Sequence, residues 1–584
     1  MGRSVEKASM MLEWEEFRLL RWGESVGLHA GRNHDPRLNW PLIHDLLEHQ
    51  LRDVLDAEKL RSKYNLNVVE EAGAGDSHIS TVVGPVRERS VPGQTWRHAS
   101  PAIRQSRERI LQQKSSVWSK LKWVKIDEEK TRKLLADISY FNTALQECLD
   151  AAQQDFMKQG MAALLRDLLS RTTSGAEVET IDEFLGEEAV ADHKALQAVS
   201  NLKQTRLLLS KDASNGIDSR QGEHSGLHST RPQLTRVKYE HLSMSKPSNR
   251  TDQLQTAIYK TSSHRGNTKS HVLLEWKHVD IGVAQQVSRR VMSLALLLST
   301  ASDESFHALK CLGYVQKAAS GSEVSYAYVF ELVDLLQTPN IKTPPRVSSL
   351  SAIMQLPQKP SLTERISMCL SVAENILQLH TAGWLHKGIC AKNVLFVDGE
   401  GLDIARPKWT GPYVAGYDFT RNTVEETETM PLDDSQVLYR HPKFFESRST
   451  YRKEYDLHAI GCVLLEIVLW RSLEGILEEF DSASASASVQ AIATSNGVRS
   501  QDQQAYERRK RLMRNKKALE AKATAQPIMD RVAFAGGDQI RQAIERCFFP
   551  VLETDDESDI SEELEVSVDA QLAIVNAIRS LQKL

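Results

Sequence analysis

The stretch of residues 361–397 constrains the fold of this chain more than any other. Apolar residues recur in its first half at steps of three and four, which predicts a helix with one buried face: Leu362, Ile366, Leu370, Ala373 and Leu377. Gly383 follows at a position that suits a helix C-terminal cap. A polar loop that contains His386 then leads into the apolar residues 394–397, which predict a short strand. The predicted order is helix, turn, polar loop and strand.

This polar loop resembles the catalytic loop of protein kinases, whose pattern is H-R-D-L-x-x-x-N. In that family the Asp is the catalytic base and the Asn holds a magnesium ion. His386 matches the His and Asn393 matches the Asn, but Gly388 stands where the catalytic Asp belongs. Glycine has no side chain that could accept a proton. The resemblance therefore implies a kinase-like fold without its catalytic base, and we predict no catalytic residue here.

The segments on both sides of the loop fit the same family, and the kinase-like domain is predicted to span residues 258–584. Its predicted order is strand, helix, strand, strand, as in a kinase small lobe: residues 271–277, 283–298, 307–315 and 326–333. Residues 456–470, beginning with Asp456, are predicted to form the buried central helix of the large lobe. An alternating Ser-Ala tract indicates an insertion near residues 480–526. The predicted fold class of this part is α+β with two lobes.

The nucleotide site that the kinase resemblance implies is incomplete. Lys277 matches the phosphate-contacting lysine and, with Asn393, is the candidate for a vestigial ATP site. Residues 258–270 contain one glycine, Gly266, so the glycine-rich phosphate loop is missing there. The helix predicted after Lys277 offers no Glu or Asp to pair with it.

Two overlays remain open for the magnesium-binding Asp of the kinase D-F-G segment. One places Gly416 at this position, directly after the apolar residues 413–415, and the other places Asp418 there. Lys443 stands where the A-P-E segment of the family has its Glu. With Gly388 and Gly416 in place, we predict no metal site, no certain cofactor and at most weak ATP binding.

The first 210 residues are predicted to form an all-α bundle with a long loop near residues 71–115. Residues 10–26 are apolar on two opposite sides, which is typical of a helix enclosed by others. The strongest helical periodicity in the chain follows at residues 134–156. Residues 12–28, with Trp14 and Trp22, resemble the second helix of the fungal HeLo domain, the prion-inhibition and propagation module of HET-s-type incompatibility proteins. This resemblance covers residues 8–205.

The HeLo resemblance implies a helical bundle whose apolar N-terminal segment can attack membranes. The first nine residues of this chain are largely polar, which argues against that activity. Residues 211–257 are rich in Ser, Gly, His, Asn and Arg, and we predict that they form a linker between two modules.

Charge and cysteine content indicate the compartment and the partners. The formal net charge of -4 gives no overall field that would attract nucleic acid or membranes. Six widely spaced cysteines form neither a metal-ligand pattern nor a disulfide framework, which favours a reducing, cytoplasmic location. Seven of the ten residues 508–517 are basic. They indicate a nuclear signal, a nucleic-acid patch or a solvated helix face paired with the acidic residues 553–565, and the lack of interleaved aromatic residues weakens the nucleic-acid interpretation.

The sequence therefore predicts a non-catalytic signalling or scaffold protein that binds other proteins and no nucleic acid, and the HeLo resemblance implies a role in fungal incompatibility or cell-death defence. Two alternatives remain. One is an active but divergent Ser/Thr kinase, and the other is a membrane-permeabilising effector controlled by its kinase-like domain.

Overall fold

The computed structural model divides the chain into two compact units, Met1–Ser200 and Asn201–Leu584. The structure describes residues 2–27, 38–51, 67–68, 121–122, 128–185, 192–214, 236–244, 254–263, 266–301, 306–320, 323–332, 345–398, 409–417, 421–422, 434–444, 451–485, 501–550 and 568–583. The first unit is helical, and the second combines antiparallel sheets with helices.

The first unit is a set of helices with one short strand pair. Its described helices are α1 Gly2–Ser25, α2 Trp40–Asp45, α3 Glu128–Glu147, α4 Ala151–Arg171, α5 Gly175–Leu185 and α6 His193–Ser214, which continues past the unit's last residue. A π-helical turn, Leu46–Leu51, extends α2, and β1 (Asn67–Val68) pairs with β2 (Leu121–Lys122). The predicted helical N-terminal part is thus confirmed. The loop predicted at residues 71–115 lies outside the described residues.

Helix α1 is enclosed by α3, α4 and α5. On one side Trp14 stacks on Phe184 with ring centroids 4.8 Å apart, and on another Trp22 donates from Nε1 to the Leu145 carbonyl at 2.9 Å. The apolar residues on two opposite sides of residues 10–26 predicted that other helices would enclose this helix. The helix begins at Gly2, however, so it takes in the polar opening residues that the sequence analysis left out. Lys7 in that opening part forms an ion pair with Glu183.

The long periodic stretch that was predicted after residue 134 is two helices rather than one. Helix α3 ends at Glu147, and Asp150 begins α4 with a capping box: its side chain accepts from the Gln153 N–H, and the Gln153 side chain accepts from the Asp150 N–H. Such reciprocal bonds satisfy two of the donors that a helix start leaves open. As a result Phe156 does not continue the buried face of α3, and 42% of it is exposed.

The second unit begins with a five-stranded antiparallel sheet in the order β3-β4-β5-β7-β6. Its strands are β3 Leu242–Met244, β4 Leu254–Ser263, β5 Gly266–Asp280, β6 Cys311–Ser320 and β7 Glu323–Glu331. Helix α7, Ala284–Thr300, connects β5 to β6 and packs on the sheet. One sheet face forms a core around Val272, Leu274 and Trp276.

The strand, helix, strand, strand order predicted for residues 271–333 is present, but β3 and β4 were missed. Strand β3 and the start of β4 fall inside the range predicted as a linker, residues 211–257, and so does the end of α6. Val237, which precedes β3, is 2% exposed and belongs to the sheet core. Short strands in a polar segment give no periodic signal, because their few apolar residues are recognisable only once the sheet has formed.

The remainder of the second unit is mainly helical around α11, Lys453–Leu469, in which residues 454–468 are all buried. The predicted buried central helix is therefore present. Other elements are α8 Leu350–Ile353, α9 Leu362–Thr381, α10 Asp434–Val437, α12 Leu473–Ala485, α13 Gln501–Lys516, α14 Lys522–Gly536, α15 Asp538–Phe548 and α16 Val568–Ser580. Two small sheets have the strand orders β11-β10-β8 and β12-β9. Their strands are β8 Arg346–Ser349, β9 Trp384–Leu385, β10 Val394–Asp398, β11 Trp409–Val414 and β12 Arg421–Asn422.

Part of the region predicted as an insertion, residues 480–526, is ordered helix. Helix α13 packs on α12, and Asn515 donates from Nδ2 to the Leu477 carbonyl at 2.9 Å. Lys516 is 2% exposed, so the basic run is a helix with one buried side rather than a wholly solvated face.

Candidate functional site

The loop after β9 is held in place by one buried carboxylate, Asp456, near the start of α11. Its Oδ2 accepts from the His386 N–H at 2.7 Å, and its Oδ1 accepts from the Lys387 N–H at 2.9 Å. Tyr451 donates its hydroxyl to Oδ1 at 2.9 Å, and His380 Nε2 lies 3.1 Å from Oδ2. Four partners for a side chain with 0% exposure satisfy the requirement that a buried charge be hydrogen-bonded.

The protonation of Asp456 follows from these contacts. Burial alone would raise the pKa of its carboxyl, but the hydrogen bond and charge of His380, together with the other donors, outweigh burial and hold the pKa below its ordinary value. Asp456 is therefore an ionised anchor for the loop backbone.

His386 is a neutral, structural imidazole. Its side chain is fully buried, its Nδ1 accepts from the Gly388 N–H at 3.2 Å, and its ring lies 5.0 Å from that of Tyr417. Burial lowers the pKa of His386 to about 4, although the charge of Asp456 acts in the opposite direction. At neutral pH the ring carries one proton and helps to shape the loop.

Lys387 gives the loop its turn. Its φ of 61° lies in the left-handed region, which residues other than glycine rarely adopt. The N–H groups of Lys387 and His386 both donate to the Asp456 carboxylate. These two hydrogen bonds hold the Lys387 backbone in its left-handed conformation. The Lys387 side chain is buried, with Nζ 5.3 Å from the centre of the Tyr451 ring.

Gly388, which the kinase resemblance assigns to the catalytic Asp, is buried rather than solvent-facing. Its N–H donates to His386, and its carbonyl accepts from Asn393 Nδ2 at 2.6 Å. The N–H and the carbonyl of Gly388 therefore both have hydrogen-bond partners within the loop. The partner of the carbonyl is the side-chain amide of Asn393.

Asn393 and Gly416 lie against each other. Gly416 has a φ of 85°, and the three atoms nearest to a Cβ built on it would all belong to the Asn393 side chain, at 3.0 Å or less. The adjacent Ala415 N–H donates to the Asn393 carbonyl at 2.8 Å. The structure thus places the two candidate positions side by side but leaves no room for a carboxylate at Gly416. Asp418, the alternative candidate, lies outside the described residues.

Strand β5 brings Glu275 to this site. The Gly416 N–H donates to Glu275 Oε2 at 3.3 Å, and Glu275 is only 4% exposed. Lys277 lies two residues further along β5, half-buried and opposite Tyr326 of β7. Both side chains are on the same face of the strand, because strand residues two apart point the same way. Glu275 was missed by the sequence analysis, although an acid within the apolar residues 272–276 was a usable signal.

A second buried polar cluster surrounds Glu466 of α11. Tyr439 donates its hydroxyl to both carboxyl oxygens at 2.9 Å, and the Leu473 N–H donates to Oε1 at 2.7 Å. Burial raises the pKa of Glu466 to about 8 despite these donors. Nearby, Lys516 donates from Nζ to the carbonyls of Val437 and Arg440, and burial lowers its pKa to about 8. These contacts stabilise the segment that precedes the exposed Lys443.

The basic helix α13 forms ion pairs with the helix before it. Arg508 contacts Glu474 at 3.0 Å and Glu478 at 2.7 Å. The acidic residues 553–565, predicted as its partner, lie outside the described residues. Within the described ranges, no group of three or more His, Cys, Asp or Glu side chains is arranged to hold a metal ion. No helix in the described part of the chain has both the length and the apolar character that crossing a membrane requires.

Comparison with known proteins identifies the N-terminal part. Residues 1–181 match the HeLo family, described as prion-inhibition and propagation. This part of the chain is similar to that family. The match confirms the HeLo resemblance over residues 8–181 and extends it to the first residues, in agreement with α1 beginning at Gly2, but it does not reach the predicted end at residue 205. It covers less than a third of the 584 residues. No match confirms the kinase-like interpretation of the C-terminal part, and no curated protein matches the chain.

Proposed function

We propose that this protein is a non-catalytic signalling or scaffold protein, in which the HeLo-like domain is coupled to a kinase-like domain that has lost phosphoryl transfer. The observation that carries this proposal is the pair Asn393 and Gly416. The Asn393 side chain fills the space that a magnesium-binding carboxylate would need. The buried Gly388 lies beside them and offers no base.

The architecture of the second unit supports a kinase-like fold. An antiparallel sheet with one inserted helix precedes a helical region, which is the order that the resemblance implies. The connection between β3 and β4, residues 245–253, is the one between the first two strands of the sheet, and it contains no glycine. The glycine-rich loop is therefore absent there as well as from residues 258–270. The capture of the loop backbone by Asp456 agrees with the scaffolding role that this residue has in the family.

Phosphoryl transfer depends on positioned cations and on the carboxylates that hold them. Helix α7 contains no Glu or Asp, so Lys277 has no acidic partner from that helix. A general base typically accelerates a reaction by about 10²–10⁴-fold. The residue at its position in this chain is Gly388, which has no side chain. We propose that ATP binding, if measurable, is weak and independent of magnesium.

The HeLo-like domain supports a role in incompatibility or cell-death signalling with protein partners. We propose a cytoplasmic location, with import into the nucleus through residues 508–517 as the alternative.

The decisive experiment measures phosphate transfer to a generic protein substrate and to the chain itself, with and without magnesium, alongside a thermal-shift titration with ATP. We expect no transfer. Magnesium-dependent turnover, or a large magnesium-dependent stabilisation, would favour the active-kinase alternative and point to Asp418. Release of dye from vesicles by the full chain would instead favour the membrane-permeabilising alternative.

A further inference from the structure

Glu275 is an unusual residue at its place in the fold. It lies in the middle of β5, flanked by Leu274 and Trp276, and only 4% of it is exposed. A carboxylate in such a position is costly unless hydrogen-bond donors compensate for the lost water. One such donor is the Gly416 N–H, from a segment 141 residues away in the chain. The bond therefore ties the sheet to the segment that follows β11.

Two titratable neighbours of Glu275 are uncharged. Burial is the main cause that raises the pKa of the Tyr417 hydroxyl, and the nearby Glu275 raises it further. Burial and the same residue also raise the pKa of the Cys311 thiol, to about 12. These neighbours remain neutral at physiological pH, so neither adds a charge of its own beside the carboxylate.

Backbone N–H groups are among the donors that bind phosphate groups in proteins. Here the donor is already occupied by a carboxylate of the chain. A phosphate brought to the same amide would also meet a like charge at close range, and like charges in contact oppose binding.

We propose that Glu275 is a built-in anion that occupies the Gly416 amide and excludes phosphate-bearing ligands, nucleotides included, from this site. This inference rests on the proposed kinase-like function, because that function is the reason to expect a phosphate here. It adds a second cause of inactivity that is independent of Gly388.

The test uses the full chain and three variants. Glu275→Gln keeps the shape and the hydrogen-bond acceptor but removes the charge, and Glu275→Lys reverses the charge. Glu331→Gln is the matched control, because it removes a carboxylate from the neighbouring strand β7, where Glu331 pairs with Lys310 at 2.9 Å. Thermal-shift titrations with inorganic triphosphate and with ATP, without magnesium, report binding. Hydrogen exchange of the Gly416 amide reports the hydrogen bond.

We expect little response from the natural sequence and from Glu331→Gln, and a gain in triphosphate affinity of about tenfold or more in Glu275→Gln, with a larger gain in Glu275→Lys. Exchange of the Gly416 amide should be faster in Glu275→Lys than in the natural protein. Equal binding by all four proteins would overturn the proposal, as would unchanged exchange in Glu275→Lys.

The phosphate-transfer assay separates this outcome from the fate of the proposed function. A variant that gains triphosphate binding but transfers no phosphate supports both. A variant that also transfers phosphate supports exclusion by Glu275 and refutes the claim that Gly388 and Gly416 abolish the chemistry. Variants that gain nothing refute exclusion and leave the non-catalytic function standing.

Discussion

The Asn393 side chain occupies the space that a side chain at Gly416 would need. The same asparagine donates from Nδ2 to the Gly388 carbonyl, so one residue joins the two positions at which the kinase resemblance expects carboxylates. On the proposed kinase-like interpretation, the Asn393 amide occupies the room that a carboxylate at Gly416 would need. An acid at Gly416 has to displace that amide.

We expect Gly416→Ala to destabilise the second unit by about 3 kcal/mol or more, since strain at positive φ and overpacking each cost about 1–3 kcal/mol. Gly537→Ala is the matched control: its φ is 91°, but its Cβ would meet no atom within 4 Å. Gly537→Ala should therefore show only the cost of backbone strain at positive φ, without the cost of overpacking. The double variant Asn393→Ala with Gly416→Ala should recover the overpacking cost in urea unfolding. Equal losses for Gly416→Ala and Gly537→Ala would contradict the overpacking at Gly416.

Gly388→Asp should not create a kinase, and it should also destabilise the domain. Gly388 is buried within the loop. A buried carboxylate without designed partners costs several kcal/mol or becomes protonated. Residues that act as a catalytic unit are far from additive, so one restored base gives little without the others.

Gly388→Ala is the control for added volume, and urea unfolding with a phosphate-transfer assay gives both readouts. Gly388→Asp should unfold at lower urea than Gly388→Ala. Magnesium-dependent turnover by the single variant would mean that the remaining site is intact.

The elements that the sequence predicted well are those whose burial pattern is local. Helix α9 was recognisable from its apolar stripe, and α11 from a nearly continuous apolar run. Strands β3 and β4 were missed because their stability depends on pairing, β3 with β4 and β4 with β5, which the sequence of either strand does not reveal. The break between α3 and α4 was missed because the apolar period continues across Asp150, and only the capping box ends one helix and begins the next.

The candidate site was predictable as a set of positions but not as a set of contacts. Matching residues to a motif located Gly388, Asn393 and Gly416, which the fold does bring together. The motif also drew attention to Lys277, whereas the contact to Gly416 comes from Glu275, two residues earlier. Which residue of a strand reaches a distant segment depends on the register and orientation of the whole sheet, and the strand's own sequence does not contain that information.

Arg18→Ala should destabilise the first unit by about 3–5 kcal/mol, the usual result of removing one partner of a buried ion pair. Arg18 is 3% exposed, contacts Glu15 at 3.1 Å and donates from Nη2 to Thr143 of α3 at 3.0 Å. Its loss leaves the buried Glu15 carboxylate without a countercharge, with Asn142 of α3 still donating from Nδ2 to Oε2 at 2.7 Å. Hydrogen exchange in both helices measures the effect, and Lys133→Ala, on an exposed position of α3, should change little. Unchanged protection in α1 would argue against this network.

Glu466 should make the stability of the second unit depend on pH. Burial raises its folded pKa from 4.5 to about 8. Between these values the folded state binds more protons than the unfolded state, so the free energy of unfolding falls as pH rises through this window, by up to about 1.4 kcal/mol per unit. Glu466→Gln mimics the protonated carboxyl. It should resemble the natural protein most at low pH, where the carboxyl is protonated, and gain stability relative to it steadily towards pH 8 in urea unfolding. The exposed Glu507→Gln should show a constant difference, and a constant difference for Glu466→Gln as well would mean that Glu466 is ionised throughout.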